Sequence, residues 1–183
     1  EWSTAESFGA FFGYGVYDNG EDRFATGREI DRDGDLRGVM TFEHALRLNA
    51  DWTLFLEAAA MSDPAFVAAY FPGMAETARE FSSSVALRRV HNNEYFLAQA
   101  RAALQDWVPN EYLLQAPGSV TERLPEATYA RVADELFDGA IAYTSETSAG
   151  FVSLRFIDVR PEEIGYDTAS LAQRAFGIAP TVS

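Results

Sequence analysis

The sequence predicts an all-β, antiparallel protein, and three observations carry that reading. The clearest is period-two alternation: Met40, Phe42, His44, Leu46 and Leu48 interleave with Thr41, Glu43, Ala45, Arg47 and Asn49. Successive side chains of a strand point to opposite faces, so one face here is apolar and the other polar. Glycine and turn-forming clusters also recur at intervals that suit strands, and three glycines in "FGAFFGYGVY" make a helix there costly, at roughly 1 kcal/mol each.

Taken in order, Phe8 to Tyr17 is the first expected strand, with Phe8, Phe12, Tyr14 and Val16 on one parity and Gly9, Gly13 and Gly15 on the other. "DNGEDRFATGREIDRDGD" is charged and glycine-containing and reads as a loop. Arg37 to Asn49 and Trp52 to Met61 are strands joined by a short turn. Asp51 to Phe71 is rich in Ala, Leu and Met, which favours helix, but Trp52, Leu54, Leu56 and Ala58 alternate with Thr53, Phe55 and Glu57. Ser62-Asp63-Pro64 ends that strand, Pro64 opens a single helical turn over Ala65–Tyr70, and Pro72-Gly73 closes it.

Phe81 to Val90 is a strand, "HNNE" a tight turn and Tyr95 to Gln105 the next strand. For Glu94–Trp107 a helix stays open, since Tyr95, Leu97, Ala100, Leu104 and Trp107 also form an i, i+3/i+4 stripe. "DWVPNEYLLQAPGSVTER" reads as a loop and Ala127 to Val132 as a strand. Ala140 to Glu146 and Gly150 to Ile157 flank "TSA" as a hairpin. The tail 158–183 is loop, with a short helix expected at Ala169–Ala175. The count is about eight strands in one unit, 1–183, with helix confined to one or two turns.

Composition narrows the function. The chain holds 28 acidic and 14 basic residues, a net charge of -14, and every basic residue is Arg. That balance argues against a nucleic-acid surface, which needs basic patches. No cysteine is present, so there is no thiolate metal site and no disulfide. Only His44 and His91 could serve a nucleophile, no Gly-x-Ser-x-Gly elbow exists, and no enzymatic activity is expected. His44 shares the apolar parity of its strand and reads as a half-buried ring. Asp31, Asp33 and Asp35 resemble the start of a calcium loop, but Leu36 and Phe42 stand where Gly and Glu are required. Those carboxylates, like Asp18, Glu21 and Asp22, read as solvated loop charge. Gly13 and Gly15 do not precede a helix, so no nucleotide loop is present. Neither metal nor cofactor is expected.

No apolar run approaches the roughly 18 residues of a membrane helix, but a membrane strand needs only about 9–11 residues with one apolar face. The chain opens without Met or a signal peptide and ends on Val182-Ser183, unlike the aromatic terminus of a complete barrel; it reads as a piece of a mature protein.

The order of several short motifs is similar to that of the LPS-assembly protein LptD (OstA/Imp) family. These are "YDNGEDRF", "DLRGVMTFEHALRL", Ser62-Asp63-Pro64-Ala65-Phe66 with Tyr70-Phe71, "NNEYFLAQARAALQDW", Leu124-Pro125-Glu126 within "RLPEATY", and "LFDGAIAYTSETSAGF". The resemblance covers residues 10–160 and rests on order and spacing; the disulfide cysteines of some members are absent. It implies a segment of a large transmembrane β-barrel in the outer membrane of a Gram-negative-type envelope, acting in lipopolysaccharide transport and assembly. The implied partners are lipopolysaccharide, a plug lipoprotein of the LptE type, membrane lipid, and a periplasmic bridge protein that docks on a preceding jelly-roll domain. On such a wall, alternation assigns Thr41, Glu43, Arg47, Gln99, Arg101 and Gln105 to the lumen and Met40, Phe42, Leu46, Leu48, Trp52, Leu54 and Leu56 to lipid. Arg47 and Arg101 either pair with lumen carboxylates such as Glu43 or meet substrate phosphates. The alternatives are a generic porin-like barrel and a soluble α+β binding domain.

Overall fold

The computed structural model describes residues 1–23, 29–31, 34–76, 81–106 and 119–156. It is all-β, an antiparallel sheet with two short helices. The strands are β1 (Trp2–Ser3), β2 (Ser7–Asp18), β3 (Glu21–Arg23), β4 (Glu29–Asp31), β5 (Asp35–Arg47), β6 (Trp52–Met61), β7 (Ser83–His91), β8 (Glu94–Ala102), β9 (Ser119–Leu136) and β10 (Ile141–Phe156). Helices α1 (Phe66–Tyr70) and α2 (Pro72–Glu76) lie between β6 and β7. Eight strands form one sheet in the order β1-β2-β5-β6-β7-β8-β9-β10, and β3 pairs with β4 alone. Every neighbour in the large sheet is antiparallel, and its strands follow one another in sequence order, with only β3 and β4 set aside between β2 and β5.

The connections are one-sided. At one end of the sheet, β5–β6, β7–β8 and β9–β10 are joined by the short turns 48–51, 92–93 and 137–140. At the other end the strands are joined by longer stretches of sequence, sixteen residues between β2 and β5, twenty-one between β6 and β7, and sixteen between β8 and β9. The Asn49 carboxamide oxygen closes the first turn by accepting from the backbone N–H groups of Asp51 and Trp52, both at 3.0 Å. Asn92 takes a φ of 49°, which asparagine tolerates better than most residues.

Several elements differ from the sequence reading. The helical alternative for Glu94–Trp107 gives way to β8 up to Ala102, which is laddered to β7 along its whole length and to β9 over Glu94–Gln99. No hairpin turns at "TSA"; β10 runs straight through Thr147–Ala149. The turn falls instead at Phe137-Asp138-Gly139, with φ values of 55°, 52° and 85°, three successive left-handed positions that reverse the chain there. The strand expected over Ala127–Val132 extends to Ser119–Leu136, so "SVTER" is strand and not loop. Pro125 sits inside it without cost to the ladder because the register slips there, Gly150 facing Glu126 and Val152 facing Arg123, and a bulge is where a strand accepts proline. Pro72 opens α2 rather than closing α1, as its fixed φ suits a first helical position. The charged 19–34 loop carries the β3–β4 hairpin. The expected helix Ala169–Ala175 and the tail 158–183 lie outside the described residues.

Packing is concentrated beside the long connections. Val39, Met61, Phe66, Val67 and Phe81 form the buried cluster, with Val16, Ala59, Tyr70, Phe71 and Met74 against it. Phe66 and Val67 are fully buried, each worth roughly 1.5–3 kcal/mol relative to exposure. Residues 62–76 are therefore folded back onto one face of the sheet.

Candidate functional site

Register places the side chains of the sheet on two chemically different faces. The face bearing Thr41 also carries Ala10 and Phe12 of β2, Glu43, Ala45 and Arg47 of β5, Phe55 and Glu57 of β6, and Gln99 and Arg101 of β8. The face bearing Leu54 carries Met40, Phe42, His44 and Leu46 of β5, Leu56, Ala58 and Ala60 of β6, Val85 and Leu87 of β7, and Ala98 and Ala100 of β8. Leu46 faces Leu54, which in turn faces Leu87, making a continuous apolar row across three strands. Trp52 belongs to the same face, its ring 6.0 Å from Phe96, with the Arg89 guanidinium 5.9 Å from its centroid.

The two groups expected on opposite sides thus do separate, with two displacements. Leu48 lies past the end of β5, in the turn. Gln105 lies past the end of β8, where its side-chain oxygen accepts the Met61 backbone N–H at 2.6 Å and ties 103–106 to the top of β6. Gln99 donates to Glu126 at 2.9 Å, and Arg101 donates to Ser82 at 2.9 Å. Leu124 and Pro125 form the β9 bulge described above, and Glu126 just after it also accepts from Arg123 at 3.1 Å. The aromatic parity of β2 falls on the Thr41 face: Phe12 and Tyr14 meet Phe71 edge-on at 5.7 and 5.2 Å. The Leu54 face of β2 carries Gly9, Gly13 and Gly15 together with the exposed Phe11 and Tyr17, and Trp2 covers Gly9 while stacking on Phe42 at 5.9 Å.

Sequence reasoning overlooked the hub of the Thr41 face. Arg37 is 3% exposed and is held by three carboxylates. Its Nη1 donates to Asp18 at 2.6 Å and Asp22 at 2.7 Å; its Nε and Nη2 donate to the two oxygens of Asp63 at 2.9 and 3.0 Å. The rings of Phe66 and Tyr70 lie against the guanidinium, 5.3 and 5.6 Å from it. Tyr70 donates its hydroxyl to Asp18 at 2.7 Å. Burial, then that hydrogen bond, pushes the Tyr70 phenol up to about 12. Asp18 and Asp22 are accordingly buried ion-pair partners rather than solvated loop charge. Ser62 bridges the motif, donating to Asp63 at 2.9 Å and accepting the Gly38 N–H at 3.1 Å. The cluster joins β2, β5 and two long connections at separations of 15 to 26 residues, which no local pattern encodes.

Nothing in this arrangement supplies a nucleophile and base. His91 Nδ1 lies 2.8 Å from Asp51 at the short-turn end. His44 is held between Trp2 and Phe42, its buried Nδ1 without a hydrogen-bond partner. Among the described residues neither histidine bonds a Ser or Thr hydroxyl, no acidic or histidine cluster is spaced to hold a metal ion, and no helix is long and apolar enough to cross a membrane. What the two faces offer is a hydrogen-bonding surface on one side and an apolar band on the other. Comparison with known proteins finds no matching family model, curated protein or solved structure.

Proposed function

We propose that the chain is a wall segment of an outer-membrane β-barrel that transports and assembles lipopolysaccharide. The observation that carries the membrane part is the two-faced antiparallel meander, with its short turns at one end and its long connections at the other. Outer-membrane barrels have this asymmetry of turns and loops, an outward apolar band and a polar interior. In a bilayer every backbone polar group must be satisfied within the wall, and consecutive antiparallel hairpins do so. The Leu54 face is then the lipid side and the Thr41 face the lumen side.

The choice of lipopolysaccharide rests on the motif order shared with the LptD family. The motifs "YDNGED", "DLRG" and "SDPAF" supply Asp18, Asp22, Arg37, Gly38, Ser62, Asp63 and Phe66, which meet in one cluster. Their joint packing gives their order a structural role, which supports treating them as one signature. The segment acts by shape and polarity: the lumen side accepts the glycan of the lipid, and the open edges, along β2 beyond its short pairing with β1 and along β10, pair with strands of the parent barrel. The plug lipoprotein of the LptE type would sit against the lumen side. The bridge protein would dock on the jelly-roll domain that precedes the barrel.

The test is photo-crosslinking in cells from Thr41 and Gln99, within the parent protein. Adducts with lipopolysaccharide or with the plug lipoprotein support the proposal. Adducts with neither, while Leu54 crosslinks to lipid, would leave a porin-like barrel of another function. Crosslinking of Leu54 to a soluble protein, with none to lipid, would remove the membrane reading altogether.

A further inference from the structure

At the short-turn end of the Thr41 face, one row of side chains runs Arg47, Thr53, Arg88 across β5, β6 and β7. The two arginines flank the threonine two strand spacings apart, about 9–10 Å at the backbone. The Arg88 guanidinium lies 4.9 Å from the centroid of Phe55, which draws it across toward β6. A hollow of about 320 Å³ opens beside the row, walled by Phe8, Ala45 and Phe55 and bordered by Glu6.

The charge pattern sets this row apart. In a chain with 28 acidic residues against 14 basic ones, an arginine finds a carboxylate easily. Arg37, Arg89, Arg123, Arg131 and Arg155 each have one. The side chains of Arg47 and Arg88 form neither an ion pair nor a hydrogen bond among the described residues, although Glu6 borders the same hollow and accepts the Arg47 backbone N–H at 2.7 Å. Two exposed arginines that line one hollow and are left without a counter-charge are the arrangement that binds an external oxyanion.

We propose that Arg47 and Arg88 form a phosphate-binding site, with Thr53 between them as a hydroxyl donor. A phosphate group suits the pair better than a carboxylate, since its three free oxygens can accept from two guanidinium forks and a hydroxyl together. Phe8, Ala45 and Phe55 beside the arginines offer apolar cover to the carbon skeleton of a phosphorylated amphiphile. The site rests on the wall reading only for the side from which such a ligand arrives, the mouth of the lumen at the short-turn end.

The test uses the full chain in dodecyl maltoside micelles, titrated with dodecyl phosphate and, separately, with inorganic pyrophosphate. Binding of dodecyl phosphate should weaken about tenfold in Arg47→Gln and again in Arg88→Gln, the loss of one charge-assisted hydrogen bond each. Arg123→Gln, which removes an arginine already paired with Glu126, should bind like the parent. Arg47 makes no hydrogen bond whose loss would unfold β5, and Arg47→Lys should recover part of the affinity by keeping the charge without the fork. Pyrophosphate bound as tightly as dodecyl phosphate would assign the site to free phosphates; much weaker pyrophosphate binding would assign it to phosphorylated amphiphiles. Equal affinities for the parent, Arg47→Gln and Arg88→Gln would overturn the site. A chain that stays monodisperse without detergent and still binds through both arginines would overturn the wall reading and leave the site standing.

Discussion

Arg37 grips Asp63 with two parallel hydrogen bonds, 2.9 and 3.0 Å, across a sequence separation of 26 residues. Asp63 is also fastened locally, since it accepts the Ala65 N–H at 3.1 Å and the Ser62 hydroxyl at 2.9 Å. The pair therefore pins the start of the 62–82 connection to the beginning of β5, at the long-connection end of the sheet. Removing Arg37 leaves three carboxylates around a buried gap, whereas removing Asp63 still leaves Arg37 its contacts with Asp18 and Asp22. Arg37→Ala should cost about 3–5 kcal/mol, as breaking a buried pair by deleting one partner does. Asp63→Ala should cost less, about 1.5–3 kcal/mol for lost hydrogen bonds to a charged group. Urea titration in detergent micelles measures both, and the reverse order would show that Asp63, not Arg37, is the hub.

Tyr70 makes the same cluster sensitive to alkali. Its phenol is pushed up to about 12, against an ordinary value near 10. A folded-state pKa above the unfolded one means that the folded chain holds the proton more tightly. The stabilisation is fully present below pH 10 and is lost as the pH rises toward 12. The difference in absorbance at 295 nm between the parent and Tyr70→Phe should show the phenolate appearing in that window. Tyr70→Phe should also flatten the alkaline fall in stability, and a difference titration centred near 10 would remove the linkage.

The two faces should respond oppositely to charge. Leu54→Arg places a guanidinium in the apolar row between Leu46 and Leu87 and should cost about 2–4 kcal/mol if the residue lies near a bilayer midplane. Gln99→Arg adds the same group on the Thr41 face, within reach of Glu126, and should cost under about 1 kcal/mol. Refolding free energies in lipid vesicles compare the two. Equal costs would mean that neither face meets hydrocarbon.

Two glycines give a further contrast. A Cβ on Gly38 would meet the Tyr14 backbone oxygen at 2.6 Å, while one on Gly73 would meet nothing within 4 Å. Backbone cannot swing aside as a side chain can, so Gly38→Ala should destabilise by about 1–3 kcal/mol through overpacking. Gly73→Ala, in α2, should be neutral or stabilise by up to about 1 kcal/mol, because alanine loses less chain entropy on folding. Thermal unfolding of the two variants decides the matter, and a stable Gly38→Ala would show that β2 can slide on β5.

The sequence by itself determined the strand class, the limits of β6 to the residue, the short turns around Asn49–Asp51 and Asn92-Asn93, and the separation of Thr41, Glu43 and Arg47 from Met40, Phe42 and Leu46. Each of these is local: alternation follows from backbone geometry, and turns follow from the φ preferences of a few residues. Tertiary structure decided the rest. It extended β9 to Ser119 and carried β10 through "TSA", because a strand continues wherever its neighbour can satisfy the backbone, whatever its own propensities. It turned the aromatic parity of β2 toward Phe71, where a helix from a distant connection had made an apolar surface. It gathered Asp18, Asp22, Asp63 and Tyr70 around Arg37, and it brought Arg47 and Arg88 to either side of Thr53. Those last groupings depend on which strands lie side by side and in what register, a choice made by the summed pairing of the whole sheet and written in no single stretch of chain.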